Sequence, residues 1–293
     1  MNETRKAFAA GRFYESSPEK LKKQIKNCFL EERGPGKLPN IIKGKKNVRG
    51  VVVPHAGYIF SGAIAAHSFY EIANNGFADN FILLGPNHSG TGSAISTITK
   101  GKWETPLGEI SINQSLAKKI ANDIIDMDET AHQKEHSLEV QLPFLQYIAD
   151  KKDFGFVPIS LSLQDYKTSK EIAQIITKAI RKTDGKTIII ASSDFSHIGF
   201  NYMSMPPKDM EVDDYAEKQD KKAIKKIIDM DPKGLIETVE DQNISMCGYG
   251  PVSAMLLASK NLGSKNAELL KYGSSYEVSP GSNCVGYGAI VVY

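Results

Sequence analysis

Short runs of apolar residues recur along the chain and alternate with longer segments in which apolar residues have a helical spacing. The short runs predict strands at 48–53, 80–84, 154–161, 186–192, 267–275 and 285–293. Continuous apolar strands that alternate with helices are typical of a sheet covered on both faces. The last two strands are rich in glycine and alternate in polarity. The sequence therefore predicts an α/β fold with a central, mostly parallel or mixed sheet and helices on both faces.

The chain of 293 residues has no internal repeat, low-complexity tract or convincing linker, so we expect one domain over residues 1–293. Its net charge of +2 gives no indication of a nucleic-acid or membrane surface. Three cysteines, far apart and odd in number, favour a reducing compartment over a disulfide framework. No apolar run reaches the roughly 18–20 residues that span a bilayer, and no signal-peptide core begins the chain. We therefore expect a cytoplasmic protein.

Three of the six histidines come just after predicted strands. His55 lies in PHAG, His88 lies in GPNHSG, and His197 lies in SSDFSH, where Asp194 precedes it. In open α/β sheets the carboxyl ends of the strands are where ligands and catalytic groups gather. One such histidine is more often a structural turn residue, but three in equivalent places favour a shared site.

Cys247 adds a possible donor to these histidines. It lies in the glycine-rich segment MCGYGP, just ahead of a predicted helix. A thiol at a helix N-terminus has a lowered pKa, so we expect its thiolate to serve as a metal ligand or nucleophile. Converging imidazoles, joined by a soft donor, indicate a transition metal. The other cysteines, Cys28 and Cys284, are expected to be structural.

A fourth histidine-containing segment, ETAHQKEHSLEV, precedes a predicted helix. Its His132, Glu135 and His136 fit the H-x-x-E-H zinc-protease pattern, but so short a match is weak and it lies before the helix. We therefore reject a metalloprotease and expect Glu135 and His136 to point into the cleft at the strand ends. Glu139 is expected on the helix surface, and His67 is expected to be structural.

Six motifs, with the opening AFAAGRFYESS, resemble those of the Memo family: PHAGYIFSG, GPNHSG, EHSLEVQLPFLQ, SSDFSH, MCGYGP and GSSYEVSPGSNCVGYGAIVVY. They occur in the same order and cover essentially the whole chain, which makes the resemblance far more specific than any one motif. Memo proteins are cytosolic and share their fold with class III extradiol dioxygenases, non-haem iron enzymes that open catechol rings. The resemblance therefore implies a class III extradiol dioxygenase-like fold.

The resemblance also implies roles for individual residues. It places His55 and His88 at the two histidine ligand positions of the dioxygenases, and His197 at their acid/base position. Cys247 falls where the dioxygenases have a glutamate ligand. A thiolate in that position favours copper or zinc alongside iron. The expected metal ligands are therefore His55, His88 and Cys247.

The first functional hypothesis is a mononuclear metal site for redox or oxygen chemistry on a small molecule, with Fe(II) expected and copper or zinc as alternatives. In it, histidines move protons and a carboxylate orients an imidazole or a water. The expected catalytic residues are His197, His136 and Asp194. The residues expected to contact a bound substrate are Tyr58, Glu135 and Tyr249.

Two other hypotheses use the same cleft. In one, Cys247 is the nucleophile of a hydrolase or transferase, with His197 or His136 as its base and Asp194 as the orienting group. In the other, the cleft binds a peptide or an anion without turnover. The resemblance implies a radical-SAM protein and an AMMECR-type protein as partners, through genes that are often associated in microbial genomes. We expect a small-molecule or peptide ligand, no nucleic acid and no membrane.

Overall fold

The structure is a computed structural model that describes residues 4–122, 124–150 and 152–293. Its strands are β1 (Thr4–Arg5), β2 (Gly50–Val53), β3 (Asn80–Pro86), β4 (Ile95–Thr97), β5 (Lys102–Thr105), β6 (Gly108–Ser111), β7 (Asp126–Met127), β8 (Gly155–Leu161), β9 (Thr187–Ser192), β10 (His197–Gly199), β11 (Ala267–Ser274) and β12 (Asn283–Val292). Its α-helices are α1 (Pro18–Leu30), α2 (Tyr58–Asn74), α3 (Gln114–Ile120), α4 (Thr130–Gln133), α5 (Leu142–Ala149), α6 (Tyr166–Arg181), α7 (Val212–Ile228), α8 (Pro232–Asp241) and α9 (Tyr249–Asn261).

Over the described residues, the larger sheet has nine strands in the order β10-β12-β2-β9-β3-β8-β4-β7, with β11 paired to β12. Its central strands β2, β9, β3 and β8 are parallel. Strands β12 and β4 pair antiparallel with the two ends of this centre. The predicted α/β fold with a mixed sheet is confirmed.

Helices flank this sheet because its central strands are apolar throughout and need cover on both faces. Every residue of β2, β3 and β9 is buried. Helix α2 packs on β2, β11 and β12 together with α1 and α5, whereas α9 packs on β2, β3 and β9 together with α6. Among the residues that the structure describes, no helix has both the length and the apolar character needed to cross a membrane.

The register of the parallel strands brings three chain segments to the same edge of the sheet. Val53, the last residue of β2, pairs with Ser192, the last residue of β9. On the other side of β9, Leu84 of β3 pairs with Ala191. The segments that leave β2, β3 and β9 therefore start side by side. These are the segments that carry the strand-end histidines.

A smaller sheet, β1-β5-β6, brings the start of the chain against the segment between α4 and α5. A single 3-10 turn (Glu139–Gln141) precedes α5, so the helix begins later than the sequence pattern predicted. Glu139 is fully buried, and the expectation of a surface position was wrong. Its carboxylate accepts hydrogen bonds from Arg5 Nη1 at 2.5 Å and from Tyr14 Oη at 2.6 Å.

Candidate functional site

The segments that follow β2, β3 and β9 enclose a cleft of about 640 Å³. Its lining includes the predicted polar residues His55, His88, His136, Asp194 and His197. It also includes aromatic rings and a polar C-terminal loop, among them Phe13, Phe60, Tyr202, Tyr287, Ser279 and Asn283. The predicted convergence of strand-end residues on one cleft is therefore present in the fold.

His55 lies at the bottom of the cleft and is only 2% exposed. Its backbone N–H donates to Asp194 Oδ1 at 2.7 Å, and its Nδ1 lies 2.9 Å from Ser192 Oγ. On the opposite side of the ring, Nε2 lies 3.2 Å from Cys247 Sγ. Burial, with a smaller contribution from His88 and His136, holds the pKa of His55 well below its ordinary value. His55 is therefore a neutral imidazole near neutral pH.

His88 is more exposed and is held by the buried carboxylate of Glu135. Glu135 accepts the backbone N–H of His88 at 2.5 Å, and His88 Nδ1 lies 3.1 Å from Glu135 Oε1. Burial raises the pKa of Glu135, but hydrogen bonds from His88 and Ser137 outweigh it and lower the pKa to about 2. An ionised carboxylate only accepts hydrogen bonds, so the Nδ1 of His88 carries its proton. Glu135 therefore orients His88 and is not itself a lining residue.

The ring of His136 is fixed between two other rings. It stacks on Phe13 with centroids 4.2 Å apart and on His88 with centroids 4.8 Å apart. His55 meets it edge-on at 5.6 Å. Burial lowers the pKa of His136 below its ordinary value. Aromatic packing therefore places the ring of His136 beside those of His55 and His88.

Two groups of possible metal ligands share His55. In the first, ligand atoms of His55, His88 and His136 all lie within 4.8 Å of one another. In the second, the same limit holds for His55, Asp194 and Cys247. The predicted combination of His55, His88 and Cys247 is divided between these groups. The structure thus joins His136, expected to be catalytic, to the predicted histidine ligands.

The Cys247 loop is held by polar contacts on both sides. Gln164 Nε2 donates to the Cys247 carbonyl at 2.8 Å, and the Gly250 N–H donates to Gln164 Oε1 at 2.9 Å. A side chain at Gly248 would place its Cβ 2.5 Å from the Ser192 carbonyl, so only glycine fits there. Burial raises the pKa of the Cys247 thiol well above its ordinary value. The expectation of a thiol pKa lowered by the helix N-terminus was wrong.

Asp194 and His197 lie on the same side of the cleft. Asp194 is buried, and burial raises its pKa despite backbone hydrogen bonds from His55 and Ala56. His197 Nδ1 lies 2.9 Å from the Phe195 carbonyl and 3.0 Å from the Ser245 carbonyl. Carbonyls only accept hydrogen bonds, so Nδ1 is protonated and Nε2 is the free nitrogen of His197.

The structure places two of the predicted substrate contacts elsewhere. Tyr58 is buried in the core, where its hydroxyl donates to the Val140 carbonyl at 2.6 Å and its ring packs on Phe144. Tyr249 begins α9 and packs against the main hydrophobic core. Neither tyrosine is among the described residues that line the cleft, and their assignment as substrate contacts stays a prediction.

The residues predicted to be structural lie outside the cleft. Cys28 and Cys284 are buried, and burial raises the pKa of Cys28 to about 12. His67 Nε2, on α2, lies 2.9 Å from the Arg33 carbonyl. His132, from the zinc-protease pattern, is fully buried, and its Nε2 lies 3.1 Å from Ser96 Oγ. Among the described residues, it does not form a possible metal site with His136.

Sequence reasoning missed Phe13, Ser192, Gln141 and Gln164, which support the site without being chemically reactive. Phe13 lies in the opening motif AFAAGRFYESS, and Ser192 and Gln141 lie in SSDFSH and EHSLEVQLPFLQ. For these three residues, their presence within the motifs is the one signal that could have marked them, whereas Gln164 lies outside every motif. Apolar and amide side chains carry no chemical pattern that separates them from ordinary core residues.

An α/β protein with a histidine-lined cleft at the strand ends is the class that fold and site define. A family model described as Memo-like protein matches residues 5–291. The chain therefore belongs to the Memo family.

Relatives named as MEMO1 family proteins are similar along almost their full length. A MEMO1 family protein from Methanopyrus kandleri is 44% identical over 290 residues, which covers 98% of each chain. Another from Methanothermobacter thermautotrophicus is 40% identical, covering 97% of this chain and 98% of the relative. The solved structure of the uncharacterized protein JW3007 from Escherichia coli K12 has a TM-score of 0.53 at 12% identity. It covers 84% of this chain and 99% of its own, and shows the likeness of fold alone.

Proposed function

We propose that this Memo-family protein binds one transition-metal ion in the cleft through His55, His88 and His136. The observation that supports the proposal most is the convergence of their ligand atoms, all within 4.8 Å of one another. Imidazole nitrogen suits iron, copper and zinc. Fe(II), the metal expected from the sequence, is the proposed ion, with copper or zinc as alternatives. The proposal differs from the sequence-based ligand set in taking His136 in place of Cys247.

The surroundings of the three imidazoles fit a resident metal. Metal binding requires a neutral ring with one free nitrogen, and burial keeps His55 and His136 neutral by lowering the pKa of each. The hydrogen bond from His88 Nδ1 to Glu135 is the kind of outer contact that orients a metal-binding histidine. The site therefore offers neutral rings at His55 and His136 and an oriented ring at His88.

A bound iron or copper ion supplies redox or oxygen chemistry, and three protein ligands leave coordination positions for small molecules. The chain's own residues bind the molecule and move its protons. His197 presents its free Nε2 as the atom that accepts a proton from a ligand or returns one. Phe13 and Phe60 contribute apolar surface to the lining of the cleft.

Cys247 and Asp194 form a second group of possible ligands, which shares His55 with the three histidines. The raised pKa of the Cys247 thiol, caused by burial, counts against the hydrolase or transferase hypothesis, since a nucleophile needs the thiolate. We propose that this pair contacts the bound molecule beside the metal.

Metal content tests the proposal. Protein is purified without oxygen, loaded with Fe(II), freed of excess metal and measured by elemental analysis. Wild type should retain about one metal per chain, and His55→Ala and His136→Ala should lose it because each removes one of three ligands. His67→Ala is the matched control. His67 lies on α2, outside the cleft, where its Nε2 is 2.9 Å from the Arg33 carbonyl, so this variant should retain full metal loading.

Cys247→Ser distinguishes the two possible ligand sets in the same assay. If the three histidines hold the metal, Cys247→Ser keeps most of it while His136→Ala does not. The reverse pattern would assign the thiol as the third ligand. Wild-type protein that retains no iron, copper or zinc after loading would contradict a metal site altogether.

A further inference from the structure

Ser192, the last residue of β9, lies behind the ring of His55 and is fully buried. Its Oγ lies 2.9 Å from His55 Nδ1, 2.7 Å from the Ser137 carbonyl and 3.0 Å from Gln141 Nε2. A serine hydroxyl donates one proton and accepts through two lone pairs. The three contacts use this whole capacity, so the direction of each bond follows from where the hydroxyl proton goes.

The amide of Gln141 fixes that direction. Its Nε2 carries two protons and lies 3.0 Å from Ser192 Oγ, 3.1 Å from the Pro54 carbonyl and 3.3 Å from the Ser137 carbonyl. Gln141 Nε2 donates its two protons in the two shorter contacts, to Ser192 Oγ and to the Pro54 carbonyl. The hydroxyl of Ser192 then donates its proton to the Ser137 carbonyl. A buried carbonyl without a donor costs about 1–3 kcal/mol, so this arrangement is favoured. Ser192 Oγ then has only a lone pair to offer His55.

We propose that Ser192, supported by Gln141, is a positioning residue that keeps the ring proton of His55 on Nδ1. Nδ1–H donates to Ser192 Oγ, and Nε2 keeps its free lone pair on the side of the ring that faces Cys247, 3.2 Å away. A metal binds only the unprotonated nitrogen of an imidazole. The fold thus keeps Nε2 of His55 unprotonated in the absence of metal. That this nitrogen is a metal ligand rests on the proposed function.

The neighbouring histidines show the same placement of the proton. His88 Nδ1 faces the Glu135 carboxylate at 3.1 Å, and His197 Nδ1 faces two carbonyls, at 2.9 and 3.0 Å. Each of these partners can only accept, so each ring carries its proton on Nδ1. At His55 the partner is a hydroxyl, which could donate or accept, and the amide of Gln141 makes it an acceptor. The three rings therefore leave the same nitrogen free.

Long-range ¹H–¹⁵N NMR of chelator-treated protein with ¹⁵N-labelled histidine reads this tautomer directly, with no metal present. The signals of His55 are assigned by their loss in His55→Asn. Wild type should show His55 in the Nδ1–H form. Ser192→Ala removes the acceptor of Nδ1–H and should shift His55 towards Nε2–H, because Nε2 keeps a possible acceptor in Cys247 Sγ, 3.2 Å away.

Ser160→Ala is the matched control. Ser160 is also a fully buried serine of a central strand, and among the described residues its Oγ has no hydrogen-bond partner. The control should leave the tautomer of His55 unchanged. A wild-type His55 predominantly in the Nε2–H form would overturn the proposal, as would an unchanged Nδ1–H form in Ser192→Ala. The wild-type spectrum is decisive by itself if Ser192→Ala fails to fold.

Zn²⁺ affinity, measured by competition with a chromophoric chelator, separates this inference from the proposed function. Loss of an outer hydrogen-bond partner typically weakens metal binding roughly 10–100-fold, which is the effect expected for Ser192→Ala and not for Ser160→Ala. If wild-type His55 is in the Nδ1–H form and the protein binds no Zn²⁺, the positioning role is supported and the metal site is contradicted. An Nε2–H tautomer in protein that binds Zn²⁺ overturns the positioning role and leaves the metal site standing.

Discussion

Glu135 is the residue on which the orientation of His88 depends. Its two carboxylate oxygens accept from the backbone N–H and the Nδ1 of His88 and from the Ser137 N–H. Glu135→Gln keeps the size of the side chain but turns one acceptor into an amide donor that faces another donor. We expect metal affinity to fall roughly 10–100-fold, measured by Zn²⁺ competition titration. Glu104→Gln, an exposed ion-pair partner of Lys6, is the control, and equal affinity in both variants would remove Glu135 from the site.

Asp220 is a buried carboxyl outside the cleft whose ionisation affects stability. It accepts from the Ser196 N–H at 2.8 Å and from the Tyr272 hydroxyl at 2.8 Å. Burial, which outweighs these bonds, raises its pKa from 3.8 to about 6. A raised carboxyl pKa gives stability that is complete below the unfolded value and is lost as the pH rises through the folded value. Ionised Asp220 therefore destabilises the fold at neutral pH.

Asp220→Asn mimics the protonated form and should be more stable than wild type at neutral pH. The gain should be at most about 3 kcal/mol near pH 7.5 and fall to about 0.5 kcal/mol near pH 4, because one pKa unit corresponds to about 1.4 kcal/mol. Urea unfolding at the two pH values measures it. Asp184→Asn, at an exposed position, should show no such dependence. A gain that is the same at both pH values would show that Asp220 does not titrate as described.

At the scale of elements, the N-terminal segment is fastened to the segment that carries Glu135 and His136. Arg5 donates to the His132 carbonyl at 2.7 Å and to the Glu135 carbonyl at 2.9 Å. It also pairs with the buried carboxylate of Glu139, 2.5 Å away. These bonds hold the chain between α4 and α5 where His136 enters the cleft. The start of the chain is therefore part of the frame of the site.

Removing Glu139 should destabilise the protein severely. Glu139→Ala leaves the charge of Arg5 and the N–H groups of Phe8 and Ala9 buried without their acceptor. Breaking a buried pair in this way typically costs about 3–5 kcal/mol, and urea unfolding measures the loss. Glu104→Ala removes the partner of Lys6 in a solvent-exposed pair and should change stability far less. Similar losses in the two variants would refute the structural role given to Glu139.

The elements that sequence predicted well are those with a continuous apolar pattern. β2, β3 and β9 are buried on both faces, so each appears in the sequence as an unbroken apolar run. The three-stranded sheet β1-β5-β6 was not predicted from the sequence, because β1 has only two residues, too few to show a strand period. The start of α5 was placed too early because a 3-10 turn and an α-helix share apolar spacing over a few residues.

At the scale of the whole molecule, sequence predicted which residues meet but not how they are grouped. His55, His88 and His197 follow the parallel central strands of the mixed sheet, so the fold had to bring them to one edge. The position of His136 could not be derived in this way, since it depends on stacking against Phe13 from a distant part of the chain. Membership of the Memo family is established, while the prediction of one domain over residues 1–293 stays a prediction.

The proposed metal ion binds where His55, His88 and His136 converge. Anomalous X-ray diffraction from crystals of the protein loaded with Fe(II) without oxygen, recorded on both sides of the iron absorption edge, tests it most directly. We expect one strong anomalous peak per chain, within bonding distance of all three imidazoles. A peak at another position, or none at these histidines in fully loaded protein, would contradict it.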